Sequence, residues 1–148
     1  MITSKNTSKS SASQSSHCFQ LRVYFEDTDL AGIVYHANYL NYAERARSEW
    51  LRDLGVPVSK IKDEFALIPV IKSAQLEYHH PAKMDDLLQV KTRILAKRAS
   101  AMQLEQCIRR VDDDQLLCVV TVQVVWINSA GRPVRLPEKL RTALDNPL

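Results

Sequence analysis

Asp29 and His36 lie seven residues apart, with Gly32 between them and a long amphipathic segment opening at the histidine. If that segment is a helix, its first turn exposes backbone N–H groups with no internal partner, at the end that carries partial positive charge. Such donors stabilise a carbonyl oxygen as it becomes an oxyanion in acyl transfer, and one donor is typically worth roughly a hundred- to a thousandfold in rate. A carboxylate placed opposite can activate water or attack the carbonyl itself. Asp29 takes that position if its loop folds back over the helix start. By residue type alone, an aspartate before a helix is more often a cap or turn residue, and a histidine there more often packs or caps. The spacing proposes a chemistry without fixing it.

Other constellations are poorer. Three glycines, Gly32, Gly55 and Gly131, assemble neither a phosphate-cradling G-x-x-x-x-G-K nor a dinucleotide G-x-G-x-x-G, and G-x-S-x-G is absent. His79-His80 with distant His36 has no metal spacing and reads as a buried strand-end pair. Asp112-Asp113-Asp114 lacks the glycine and glutamate of a calcium loop and reads as a solvated turn. Cys18, Cys107 and Cys118 are too few and too scattered for a disulfide framework or a zinc site, which makes a reducing cytoplasm the simplest compartment. Cys107 and Cys118 flank the acidic turn, where they could face each other across a hairpin; two small buried side chains is the better reading. No metal and no cofactor is implied.

Two elements must position the pair: a helix opening near His36, and a scaffold that holds the Asp29 loop against it. Over 36–54, Leu40, Ala43, Ala46, Trp50 and Leu54 recur at spacings of three and four, with Glu44, Arg45, Arg47, Glu49 and Arg52 opposite. Gly55 stands where a C′ glycine belongs, and Pro57 bars continuation. This predicts the only long helix. Ahead of it Phe19, Leu21, Val23 and Phe25 alternate as one face of a strand, broken by Glu26-Asp27-Thr28-Asp29, in which Asp27 reads as a turn former. Beyond it, strands are expected over 70–78, 88–96, 102–108 and 116–127, with Val70, Lys72, Ala74, Leu76 and Tyr78 on one face of the first. A short closing helix over 136–144 has Pro137 in its first turn.

Strand, long helix and four antiparallel strands predict an α+β domain over 18–148, one antiparallel sheet of about five strands wrapped around a central helix. Such a sheet leaves an edge strand unpaired, so a homodimer or homotetramer is expected. Residues 1–17, with seven serines and few apolar side chains, read as a disordered tail. The net charge is +3, of which Lys5 and Lys9 of the tail supply +2, so the charge does not argue for nucleic acid. No apolar run approaches the about 20 residues of a membrane span, and no signal peptide opens the chain.

The run from Tyr24 through Asp27-Thr28-Asp29, Gly32 and Tyr35-His36-Ala37-Asn38 to Tyr39 resembles the signature of hotdog-fold acyl-CoA thioesterases. The resemblance is strongest to the Tol–Pal-associated branch of the hydroxybenzoyl-CoA thioesterase family. It continues through Glu44-Arg45-Ala46-Arg47, Tyr78-His79-His80-Pro81-Ala82, Asp85-Asp86-Leu87-Leu88 and Arg98-Ala99-Ser100, covering roughly 19–144. It implies hydrolysis of acyl-CoA to free acid and coenzyme A, with Asp29 as general base or nucleophile. It places the His36 backbone N–H at the thioester carbonyl with the imidazole as a hydrogen-bonding helper, and Tyr35, Asn38 and Tyr39 around the pocket. Lys97 and Arg98 fall where relatives hold the coenzyme A phosphates, although a solvated strand end fits them equally well. The chain departs from the family at His80, where many relatives have arginine, so no phosphate contact is implied there. Two other readings remain open at this point. One is a hotdog dehydratase drawing a carboxylate from Glu44 or Glu49; the other is a dimeric adaptor that binds acyl carrier protein or envelope-associated partners.

Overall fold

Residues 16–145 are described by a computed structural model of the chain. The expected tail therefore lies, through residue 15, outside the described residues. Strand β1 (His17–Arg22) is followed by helices α1 (Asn38–Asp53) and α2 (Val58–Phe65). Strands β2 (Ile68–Tyr78), β3 (Leu87–Lys97), β4 (Ala101–Arg110) and β5 (Leu116–Ile127) follow, and α3 (Glu138–Asp145) closes the described chain. The strands form one antiparallel sheet in the order β1-β3-β4-β5-β2. This is the α+β architecture that the strand and helix patterns imply. Its long helix lies on one face of the sheet, packed against β1, β3 and β5.

Alternation selects the inner face of each strand. Leu88 and Val90, Leu104 and Ile108, and Val120, Val122 and Val124 all point at the helix and are buried. From α1 they meet Tyr39, Tyr42, Ala43, Ala46, Trp50 and Leu51. Leu40, expected on that stripe, is 39% exposed; two tyrosines take its place in the core. Each fully buried large apolar side chain contributes roughly 1.5–3 kcal/mol. Two paired polar residues, Thr92 of β3 and Gln106 of β4, interrupt this layer. Buried Gln106 of β4 donates to the Ala43 carbonyl of α1 at 2.8 Å and to the Thr92 hydroxyl at 3.0 Å, and accepts from Arg47 at 2.9 Å. All its polar atoms are thus satisfied, and the helix is pinned to the sheet at one register.

Four features depart from the sequence expectation. Helix α2 forms directly after Pro57, where the sequence pattern assigns no element. Val58, Ile61 and Phe65 supply its apolar face, and Ala66 in a left-handed conformation (φ 54°) ends it. In β2 the register shifts between Ile71 and Ser73. Ile71 pairs with Val124 and Ala74 with Val122, so both face inward, and the alternation from Val70 to Tyr78 changes phase at the bulge. Across the β4–β5 hairpin Cys107 pairs with Val119 and Cys118 with Ile108. The two cysteines therefore lie on opposite faces; only Cys118 is buried, its thiol pushed up to about 12 by burial and then by the Glu77 carboxylate. His79 and His80 sit at the end of β2 as expected, but both are exposed. No helix among the described residues is long and apolar enough to cross a membrane.

Candidate active site

The loop from β1 to α1 is organised by Asp27. Its N–H donates to the Tyr24 carbonyl at 3.0 Å to close a single 3-10 turn over Phe25–Asp27, and its buried carboxylate accepts the Tyr24 N–H at 2.9 Å to cap that turn. Its carbonyl accepts the Tyr35 N–H and the Asn38 side-chain amide, each at 2.9 Å. Asn38 is the first residue of α1, so Asp27 fastens the loop to the helix start. Burial, then the neighbouring Asp27 carboxylate, hold the Tyr42 phenol well above its ordinary range.

Asp29 opens a tight turn on this frame. Its N–H donates to the Ile33 carbonyl and its own carbonyl accepts from Gly32, both at 2.9 Å, with Gly32 at φ 77° where a side chain would be strained. The exposed carboxylate accepts the Ala31 N–H through Oδ1 at 2.8 Å. Its Oδ2 takes no hydrogen bond among the described residues, and no cation lies within ion-pair distance there.

Helix α1 begins at Asn38, two residues later than the apolar pattern suggests, because a turn from Tyr35 precedes it: the Asn38 N–H donates to the Tyr35 carbonyl at 2.9 Å. The next donor used is the Leu40 N–H, to the Ala37 carbonyl at 3.2 Å. The N–H groups of His36, Ala37 and Tyr39 have no acceptor among the described residues, and no side chain caps the helix. A cap at such a start typically stabilises by about 1 kcal/mol, which this sequence forgoes. Free donors at a helix N-terminus suit an oxygen that gains negative charge.

An open hollow of about 340 Å³ lies beside this start, lined by His36, Tyr39 and Val34 together with Tyr78, His79 and His80. Tyr39 is buried; its hydroxyl accepts the Ala82 N–H at 3.2 Å and its ring meets Tyr78 edge-on at 5.6 Å. The Tyr78 hydroxyl donates to the His36 carbonyl at 3.0 Å. Burial raises the Tyr39 phenol and partial desolvation the Tyr78 phenol above the ordinary tyrosine value, and both hydroxyls are protonated at neutral pH. His80 Nδ1 lies 3.2 Å from the Leu116 carbonyl oxygen and 3.0 Å from the Gln115 amide nitrogen, donating to the first when protonated and accepting from the second when not.

Of the residues expected from sequence, His36 and Tyr39 share this hollow. Asp29, Tyr35 and Asn38 belong to the same loop and helix start without lining it. Tyr35 is exposed, its ring edge-on to His36 at 4.5 Å, and Asn38 spends its side chain on Asp27 and Asn41. Lys97 and Arg98 stand elsewhere. Lys97 pairs with Asp145 of α3, and Arg98 lines a separate cavity of about 490 Å³. The Lys97 row runs through Met102 and Val124 to Ile71, whereas the Tyr78 row passes through Cys118, six residues along β5. That separation is about 20 Å at the usual strand rise. Glu44 accepts the Ser48 hydroxyl at 2.7 Å and lines a third cavity of about 210 Å³, away from His36. No group of three or more His, Cys, Asp or Glu side chains among the described residues is placed to hold a metal ion. Sequence reasoning missed Tyr78 as part of the site, since period-two alternation marks it only as a strand residue.

Comparison with known proteins gives a consistent picture. The family model of the thioesterase-like superfamily matches residues 23–144. An acyl-CoA thioesterase, YbgC of Haemophilus influenzae, is 37% identical over 126 residues, covering 84% of this chain and 91% of its own. Its counterpart in Helicobacter pylori strain 26695 is 39% identical over 132 residues, covering 84% and 96%. Among solved structures, a probable thioesterase from Bartonella henselae is similar at a TM-score of 0.78 and 38% identity, over 82% of this chain and 99% of that one.

Proposed function

The chain belongs to the thioesterase-like superfamily, and from that premise we propose that it hydrolyses acyl-CoA thioesters to a free carboxylic acid and coenzyme A. The observation that carries the proposal is the uncapped start of α1 on the same loop as an exposed carboxylate whose Oδ2 is unengaged. The thioester oxygen sits against the free N–H groups at His36 and Ala37. As general base, Asp29 takes a proton from water while the water oxygen bonds to the thioester carbon. The C–S bond then breaks, and the thiolate leaves with that proton. As nucleophile, Asp29 forms an anhydride with loss of the thiolate, and water cleaves it. The His36 imidazole helps hold the oxygen, while Tyr35, Asn38 and Tyr39 shape the approach.

A second copy of the chain is part of this reading. The outer edge of β2 bonds to no strand among the described residues, and Ile71 and Tyr78 on its inner face are 44% and 52% exposed. Antiparallel pairing of two such edges reverses the order of rows. It carries the Lys97 and Arg98 end of the second copy toward the Tyr78 end of the first, where the coenzyme A phosphates need cations.

Free-thiol release from short, long and aromatic acyl groups, presented on coenzyme A and on acyl carrier protein, tests the activity. Asp29→Asn keeps an oxygen for the Ala31 N–H and is expected to fold normally while losing at least a hundredfold in turnover, about the range of base catalysis. Near-wild-type turnover of Asp29→Asn sinks the site assignment. Light scattering reads the mass in the same samples, and a monomer active at full rate overturns the role given to the second copy.

A further inference from the structure

We propose that Tyr78 is a positioning residue for this reaction: its hydroxyl clamps the His36–Ala37 peptide so that the Ala37 N–H is held as a donor to the reacting oxygen. The inference rests on the helix-start reading above and concerns a residue that reading does not use. The contact is specific. The hydroxyl reaches across from the end of β2, a strand distant in sequence, to the His36 carbonyl at 3.0 Å. No cis peptide bonds occur among the described residues, so the C=O of His36 and the N–H of Ala37 point in opposite directions from one plane. Fixing the oxygen therefore fixes where the N–H is aimed.

The Asn38 N–H to Tyr35 carbonyl bond closes a turn around this peptide, but among the described residues only the Tyr78 hydroxyl engages the peptide's own C=O or N–H. Ala37 has no polar side chain, its N–H has no acceptor, and the peptide precedes the first helical residue, outside the helical hydrogen-bond ladder. A hydrogen bond accepted by the carbonyl also polarises the peptide and strengthens its N–H as a donor. Tyr78 is itself steadied, its ring edge-on to Tyr39, whose own hydroxyl is held by the Ala82 N–H. The Tyr78 phenol, like any tyrosine at neutral pH, is protonated and hence able to donate, and partial desolvation moves it further that way. The hydroxyl is directed at backbone instead of substrate, so its effect reaches the reaction only through the peptide it orients.

Tyr78→Phe keeps the ring packing and removes the clamp. A fully lost oxyanion donor costs about a hundred- to a thousandfold, and a donor retained but loosely aimed costs part of that; kcat is expected to fall about tenfold with KM within twofold. A non-hydrolysable acyl-CoA trifluoromethyl ketone, which presents a tetrahedral oxygen, should lose affinity by the same factor while coenzyme A itself binds unchanged. Tyr78→Leu, lacking ring and hydroxyl, should show the same kcat defect as Tyr78→Phe. Wild-type kcat in Tyr78→Phe, or equal losses for the ketone and coenzyme A, overturns the inference, as does Tyr78→Leu falling far below Tyr78→Phe while both melt as wild type. If Asp29→Asn is inactive and Tyr78→Phe is not impaired, only the positioning role fails; if Asp29→Asn is fully active, the parent reading fails first.

Discussion

Replacing Asp27 by alanine removes the carboxylate that caps the Phe25–Asp27 turn while leaving the Asp29 side chain chemically untouched. A hydrogen bond to a charged acceptor contributes about 1.5–3 kcal/mol. Tyr24 is 61% exposed, so water reaches its freed N–H, and the loss belongs at the lower end, about 1.5–2 kcal/mol. At roughly 3 °C per kcal/mol for a domain of this size, the melting temperature should fall about 5 °C. Turnover should fall with it, since the carboxylate steadies the turn from which the Asp27 carbonyl, kept in the alanine variant, fastens the Asp29 loop to α1, and a displacement of about 1 Å can cost about a hundredfold. Asp29→Asn should show the opposite signature, with melting within about 2 °C of wild type and activity gone, because the amide oxygen still accepts the Ala31 N–H. Melting followed by circular dichroism and thiol release on the same samples separate the two. If Asp27→Ala melts as wild type and is as inactive as Asp29→Asn, the roles are reversed and Asp27 is the reacting carboxylate.

Two further outcomes bear on the scaffold. Gln106→Leu strands the Thr92 hydroxyl and the half-buried Arg47 guanidinium, and should cost about 2–4 kcal/mol, read as a lower urea midpoint at unchanged slope; a loss under about 0.5 kcal/mol would show that the network does not pin α1. Maleimide at pH 8 should label exposed Cys18 in the native protein and leave Cys118 untouched until urea unfolds it, because Cys118 is buried and its thiol is pushed up to about 12. Mass spectrometry of tryptic peptides reads this directly, and equal rates at the two cysteines would contradict the packing of β5.

Most of the fold was legible because period and phase survive packing. The valine run from Leu116 to Ile127 forms β5 over the expected span, and the Asp112–Asp114 turn falls where three solvated aspartates must lie. What escaped was decided by contacts that no local pattern carries. Helix α2 is eight residues long, too short for its stripe of Val58, Ile61 and Phe65 to stand out beside Pro57, and it forms because Ile61 is buried against the rest of the core. The β2 bulge reversed the inward face for half a strand, and Leu40 lost its expected place because Tyr39 and Tyr42 fit the sheet better than a narrow aliphatic stripe.

The site divides along the same line. The Asp29 turn and the helix start are local in sequence, so spacing alone could bring them together. Tyr78 reaches the His36 carbonyl from 42 residues away, and only the topology puts the end of β2 beside the start of α1. Lys97 and Arg98 show what a linear signature leaves open: they stand about 20 Å along the strands from Tyr78 in one chain, a separation only the topology reveals. A sheet with a free edge strand need not gather every group within one protomer. The inner face of β2, from Ile71 through Ala74 and Leu76 to Tyr78, is apolar and stays partly or largely exposed in a single chain. Burying that face favours association of two chains, and if their β2 edges meet antiparallel, the same association supplies the far cations that one chain leaves out of reach.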